Sequence, residues 1–295
     1  MAARYARLAT LALLFVTATW GSTFFLIKDL LEREPVLDFL AIRFAIAAVV
    51  LFAAAPKTVF ALDVRDRWRG AGLGLVYGIA QILQTTGLGH TSASVSGFVT
   101  GMYVVFTPIL TGVLLRQRVS AIAWLAVGLA TAGLGVLSLR GFSVGYGEAL
   151  TLAAAVLYAG HIVGLGAWST PHRAYGLAVL QMAVIALVCG AVTVPDGVVL
   201  PATTGDWLSI VYMALVAGAL ALLLQTWAQA HLSPTRAAIV MTMEPVFAAL
   251  FAVLLGGEGV TIRMVIGGTL VLAAMLLVEA APRRKVEGEV AHLAV

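Results

Sequence analysis

The chain has 295 residues, of which 61% are hydrophobic and 11% charged, with a mean hydropathy of +1.02 and a net charge of +4. Soluble domains carry roughly 25% charged residues, so a water-soluble fold has nowhere to put this much apolar surface, and the chain reads as an integral membrane protein. Disorder, a disulfide scaffold (Cys189 is the one cysteine) and a nucleic-acid partner are excluded on the same grounds.

Crossing a hydrocarbon core of ~30 Å takes about twenty residues. In chain order, apolar runs of that length fall near 8–28, 36–55, 70–89, 93–115, 120–139, 146–168, 175–194, 207–229, 236–256 and 261–280. Pro35, Pro56, Pro171, Pro195, Pro201 and Pro282 punctuate the gaps. The runs are too long for barrel strands and lack period-two alternation. The predicted fold class is therefore an all-α membrane protein with ten transmembrane helices. The first run is too long for a cleaved signal, and no small-residue cleavage site precedes a soluble domain.

Lysine and arginine orient the spans. One set of segments holds Arg4, Arg7, Lys57, Arg65, Arg67, Arg69, Arg116, Arg118, Arg173, Arg236, Arg283, Arg284 and Lys285, whereas the alternate loops hold only Lys28, Arg33, Arg140 and Arg263. By the positive-inside rule the first set, with both termini, is cytoplasmic, as expected of a multi-pass protein of the inner (cytoplasmic) membrane.

An internal repeat divides the chain. Laying Gln84–Phe106 over Gln225–Phe247, a shift of 141, matches Gln84/Gln225, Thr85/Thr226, His90/His231, Ser92/Ser233, Val99/Val240, Met102/Met243, Val105/Val246 and Phe106/Phe247. Spans 1–5 are thus expected to recur as spans 6–10, giving halves at 1–140 and 141–282 and a polar cytoplasmic tail at 283–295. Five is odd, so the second half enters the membrane from the opposite side. Inverted repeats of this kind belong to transporters, with the solute site near the midplane between the halves.

The sequence Ala18-Thr19-Trp20-Gly21-Ser22-Thr23-Phe24, with Arg43-Phe44, Gln84-Thr85-Thr86-Gly87-Leu88 and Thr91-Ser92-Ala93-Ser94, resembles the drug/metabolite transporter superfamily of EamA type. Leu232-Ser233-Pro234-Thr235, Glu244-Pro245-Val246, Gly256-Gly257-Glu258 and Gly267-Gly268 continue the likeness along nearly the whole chain. The resemblance implies ten helices in two inverted five-helix halves and, commonly, export of amino acids, related metabolites or drugs. One departure is Arg116-Gln117-Arg118 after span 4, where the family often has an acidic residue; the second half keeps its acid, Glu258.

Polar groups at mid-depth in a span are costly unless they face the bundle or a cavity. In span 3, Gly70, Gly74 and Gly78 share a stripe with Tyr77, Gln81, Gln84 and Thr85; span 8 offers Gln225 and Gln229. Trp20, Tyr103 and Tyr158 fall about halfway through spans 1, 4 and 6, where rings can enclose an organic solute or pack a core. The expected solute cavity is lined by Trp20, Gln81, Gln84, Tyr103, Tyr158 and Gln225. Glu244 lies near the midplane of span 9, where an idle charge costs about 2.5–3.5 kcal/mol. It is a candidate either for coupling to protons or for holding a solute ammonium group. Arg43 and His161 are read as structural, and Pro108 and Pro245 as interruptions of spans 4 and 9.

No phosphate-binding loop, zinc-binding His pair or nucleophile elbow is present, and Ser94-Val95-Ser96-Gly97 has no histidine partner at its depth beyond His161. The expectation is a cofactor-free secondary transporter of small organic solutes, monomer or homodimer, exporting amino acids or related metabolites by alternating access. Uncoupled uptake or facilitation is the alternative within transport, and an intramembrane enzyme is the rival from another class.

Overall fold

The computed structural model describes residues 2–91, 93–138, 145–194, 197–254 and 259–280. Pro195, Pro282, Arg140, Glu258 and the basic tail lie outside the described residues. Among those described, every regular element is a helix. Span 1 is α1 (Ala2–Gly21) and α2 (Thr23–Leu30); span 2 is α3 (Val36–Ala54); a short α4 (Lys57–Phe60) leads to span 3, α5 (Val64–Gly89). Span 4 is α6 (Ala93–Gly101) and α7 (Tyr103–Leu114), and span 5 is α8 (Ala121–Ser138). Spans 6 and 7 are α9 (Tyr146–Trp168) and α10 (Ala174–Thr193). Span 8 is α11 (Thr204–Ala214), a π-helical segment (Leu215–Leu220) and α12 (Ala221–Gln229). Span 9 is α13 (Pro234–Met241) and α14 (Glu244–Leu254), and span 10 is α15 (Ile262–Ala280).

Six of these rods, spans 1, 2, 4, 6, 7 and 8, are long and apolar enough to cross a membrane outright. α8 and α15 are shorter apolar helices, α5 carries its charges in its first turns, and span 9 is divided. Outward-facing side chains are apolar at Leu11, Val49, Val113, Leu187 and Leu208. That surface suits lipid, because hydrocarbon has no penalty for it. The chain is a multi-pass membrane protein.

Local chemistry sets the helix starts. Pro35, with its fixed φ, precedes α3, and the Asp63 carboxylate accepts the Asp66 amide to cap α5. At α11 the Thr203 hydroxyl accepts the Asp206 amide and donates to the Asp206 carboxylate. Side-chain ties then show which loops share an end. At one end, Lys28 donates to the Thr91 carbonyl, Thr91 to Glu148, and Arg33 pairs with Asp29 and Asp206. At the other, Asp66 pairs with Arg69 and Arg173, and the Tyr5 ring stacks on His231. So α1 begins at the second end and α9 at the first. The second set of five rods runs opposite to the first, as the odd count requires.

Packing relations come in matching pairs. α3 lies on α10 and α8 on α15, while α5 against α9 is answered by α12 against α1. Small residues allow these approaches. A Cβ on Gly74 would lie 2.8 Å from the Gln181 Cα, and one on Gly87 2.7 Å from the Gly147 carbonyl oxygen. The span-3 stripe is therefore split: Gly70, Gly74 and Gly78 meet α10, and its polar residues turn elsewhere, while Gly87 further along meets α9.

The proline expectation is corrected in position. Span 4 breaks at Met102, six residues before Pro108, which sits inside α7. Span 9 breaks at Thr242 and Met243, and Pro245 is the second residue of α14. A proline ring clashes with the carbonyl four residues earlier and tolerates the first turn of a helix. For Pro245 that carbonyl is Met241, the last residue of α13. In span 4 the break is a tight turn, with the Met102 amide on the Val99 carbonyl and the Val105 amide on the Met102 carbonyl.

Candidate functional site

A cavity of about 630 Å³, counting its open mouth, lies between the two sets of rods. Trp20, Gln81, Gln84, Tyr103, Tyr158, Gln225 and Glu244 all line it, so the structure brings together every residue the sequence nominated. It also brings residues that the sequence did not nominate: Arg43, Tyr77, Thr100, His161 and Met241, with Thr23, Phe24 and Ile27 of α2.

The repeat explains much of the lining. Gln84 and Gln225, Thr100 and Met241, Tyr103 and Glu244, and Trp20 and His161 each differ by 141 in number, and all eight face the cavity. Tyr103 and Glu244 are the first residues of α7 and α14, immediately after the two breaks. The signal that could have found His161 was therefore the repeat itself, extended back to span 1.

Hydrogen bonds hold part of the wall. The Tyr158 hydroxyl donates to Gln84 Oε1 at 2.6 Å, and Gln84 Nε2 donates to the Thr100 hydroxyl at 3.0 Å. Gln225 Nε2 donates to Gln229 Oε1 at 3.1 Å, and Gln229 Nε2 donates to the Ile162 carbonyl at 2.8 Å, tying α12 to α9. His161 Nε2 lies 2.6 Å from Gln181 Oε1, whose amide bonds the Leu177 carbonyl. Ring contacts extend the wall: Tyr77 sits 4.8 Å from His161, 5.6 Å from Tyr158 and 6.5 Å from Phe44 between centroids.

Span 8, at and just before its π segment, braces two of the lining residues. Its i→i+5 bonding leaves carbonyls open to other donors. Trp20 Nε1 donates to the Ala217 carbonyl at 2.8 Å, and Arg43 Nε donates to the Met213 carbonyl at 3.2 Å. Two polar atoms at the cavity have no protein partner among the described residues, Tyr103 Oη and Gln225 Oε1. Buried polar atoms without partners call for a ligand or water. The Glu244 side chain, 6% exposed, likewise has no hydrogen bond or ion pair among the described residues. No group of acidic, His or Cys side chains there could hold a metal ion, among the described residues. Aromatic faces, carboxamides and a carboxyl group around one space can enclose a small organic solute and recognise its polar ends.

Comparison with known proteins agrees with this architecture. A curated relative from Archaeoglobus fulgidus, described as an uncharacterized transporter, is 29% identical over 271 residues, covering 92% of this chain and 85% of its own. A solved structure described only as "Crystal structure of protein" superposes with a TM-score of 0.74 at 18% identity, covering 91% of this chain and 95% of that one. At that identity the likeness is one of fold. The model of the EamA-like transporter family matches twice, over residues 7–139 and 145–280. With helices suited to a bilayer, a cavity between two oppositely directed sets of rods and a family match over nearly its whole length, this chain belongs to the EamA-like transporter family, and it is a transport protein rather than an enzyme.

Proposed function

We propose that the protein is a secondary transporter of the inner membrane that exports amino acids or related small organic metabolites by alternating access. Its halves are 1–140 and 141–282, both termini are cytoplasmic, and residues 283–295 form a cytoplasmic tail. The observation that supports this reading is the convergence of Trp20, Gln81, Gln84 and Tyr103 from one half with Tyr158, Gln225 and Glu244 from the other on a single cavity. Aromatic rings contact the solute body, and the unpartnered Tyr103 Oη and Gln225 Oε1 bond its polar groups. Rocking of one half against the other about the breaks at Met102 and Met243 exposes the cavity to alternate sides.

Glu244 is the coupling residue or the seat of a solute ammonium group. An exporter driven by the inward proton gradient protonates this carboxyl from outside and releases the proton within, in exchange for solute. Flux of radiolabelled amino acids from everted vesicles tests the reading: a transporter moves them chemically unchanged and concentratively. Glu244→Gln keeps the shape and removes the titration. Loss of pH dependence with exchange intact is the expected result for coupling, and loss of solute binding at fixed pH is that for the ammonium seat. Concentrative, pH-dependent export by the Gln variant at the parent rate overturns both roles. Uptake down a gradient, with no proton dependence in the parent protein, favours a facilitator.

A further inference from the structure

Arg43 ties α3 to span 8, as a structural residue does, but that tie uses only part of its side chain. It is the eighth residue of α3 and only 3% exposed. Its guanidinium carbon stands 5.1 Å from the centroid of the Phe44 ring and 5.9 Å from that of Phe39. Nε bonds the Met213 carbonyl, and that is the one hydrogen bond the side chain makes among the described residues. A guanidinium has five N–H donors in a planar fork. No carboxylate pairs with it among the described residues, although it lines the same cavity as Glu244.

Burying a guanidinium is unfavourable unless an anion and further acceptors compensate for the lost water. A helix-bridging role uses Nε and the ring faces and leaves the two terminal amino groups idle. Those groups form the edge that takes an oxyanion bidentately. Glu244 cannot serve as a permanent partner if it carries the role proposed above. Tyr77 and Tyr158, with ring centroids 5.6 Å apart, line the same cavity as both charged groups, so the two poles belong to one compartment.

We propose that Arg43 is the anion anchor of the cavity, receiving the carboxylate of the transported solute on its two terminal amino groups while Phe39, Phe44 and the Met213 carbonyl hold the fork in place. The inference rests on the transport reading and narrows it: the solute must carry a carboxylate, and an uncharged carboxamide of the same shape is discriminated against. A solute amide turns an N–H₂ toward the fork where an acceptor is needed, so the loss exceeds that of one charge interaction.

The test uses the full-length protein in proteoliposomes loaded with leucine, phenylalanine or methionine. Exchange of the radiolabelled acid is measured against competition by the acid and by its carboxamide. The acid is expected to compete at least about tenfold better than the carboxamide, the size of a charge-assisted bidentate contact. Arg43→Gln should bring the two within about twofold of each other, and Arg43→Lys should restore part of the preference because it keeps the charge without the fork. Carboxamides competing as well as acids against the parent protein overturn the anchor and leave transport standing, whether or not any variant folds. An unchanged acid preference in a well-folded Arg43→Gln protein also overturns it. Failure to exchange any of the acids overturns the anchor together with the amino-acid reading.

Discussion

Gln84 accepts from Tyr158 and donates to Thr100, so its carboxamide cannot turn without losing both bonds. Tyr158→Phe removes the donor and leaves a buried acceptor unpaired, which should cost about 1–3 kcal/mol. Thermal unfolding in detergent should show the loss, and solute affinity should fall with it; an unchanged midpoint would mean that water replaces the phenol. At the end bearing Arg33, Glu34 is only 5% exposed and its Oε2 has no partner among the described residues. Burial first, then the like charges of Asp206 and Asp38, push its carboxyl above the ordinary carboxylate range. A raised value means that the stability this group contributes is fully present below the unfolded carboxylate pKa and lost as pH rises through the folded one. Relative to Glu34→Gln, the parent protein should therefore lose thermal stability as pH rises above the ordinary carboxylate range. Parallel stability curves for the two proteins would show that the carboxyl is not strained. Trp20, Gln84 and Glu244 could be picked out in the sequence because a polar group at mid-depth is expensive and must face something. Arg43 and Thr100 could not, since a lone arginine can snorkel and a threonine can bond its own helix; only the fold decides which way each turns.

The approach of α5 to α9 is set by two glycines facing each other. A Cβ at Gly87 would meet the Thr151 hydroxyl at 2.5 Å as well as the Gly147 carbonyl at 2.7 Å, both too close to keep. Gly87→Ala should force the helices apart, at a cost of about 1–3 kcal/mol. The Tyr158–Gln84 bond spans the same pair of helices, so solute affinity should drop in parallel with the unfolding midpoint. A stable, fully active alanine variant would show that the crossing is looser than its distances imply. The glycine spacing in span 3 was legible as a packing stripe, but its partner helix was not, because periodicity gives a face and never a neighbour. The breaks in spans 4 and 9 were announced by Pro108 and Pro245 and then displaced upstream. Sequence marks the residue that cannot donate; the chain yields where its carbonyls are left over or its ring collides.

For the molecule as a whole, the repeat and the alternation of basic loops were legible as an inverted arrangement, because both survive without knowing a single contact. The cavity between the halves was not, since its walls come from faces of α2, α5, α6 and α9 that only packing brings together. The ties at the two ends place Glu32, next to Arg33 in sequence, and Lys57, in the short α4 that packs on α10 and leads into α5, at opposite ends of the rods. Both are exposed, and Cys189 is the one native cysteine and is buried. In a Cys189→Ser background, Glu32→Cys should react with an impermeant maleimide on intact cells, and Lys57→Cys only after permeabilisation. Labelling of both from one side would break the inverted arrangement and the transport scheme built on it.

The π segment of span 8 is a stacking fault: one surplus residue stored in an otherwise regular rod. Like a dislocation in a crystal, such a fault can glide, and each step along an α-helix swings one side chain through about 100° while the ends of the rod stay put. Trp20 and Arg43 grip the carbonyls of Ala217 and Met213, which pins the fault at Leu215–Leu220. Both pins are walls of the cavity. The two side chains that a solute in the cavity would touch are thus the same two that fix the register of span 8.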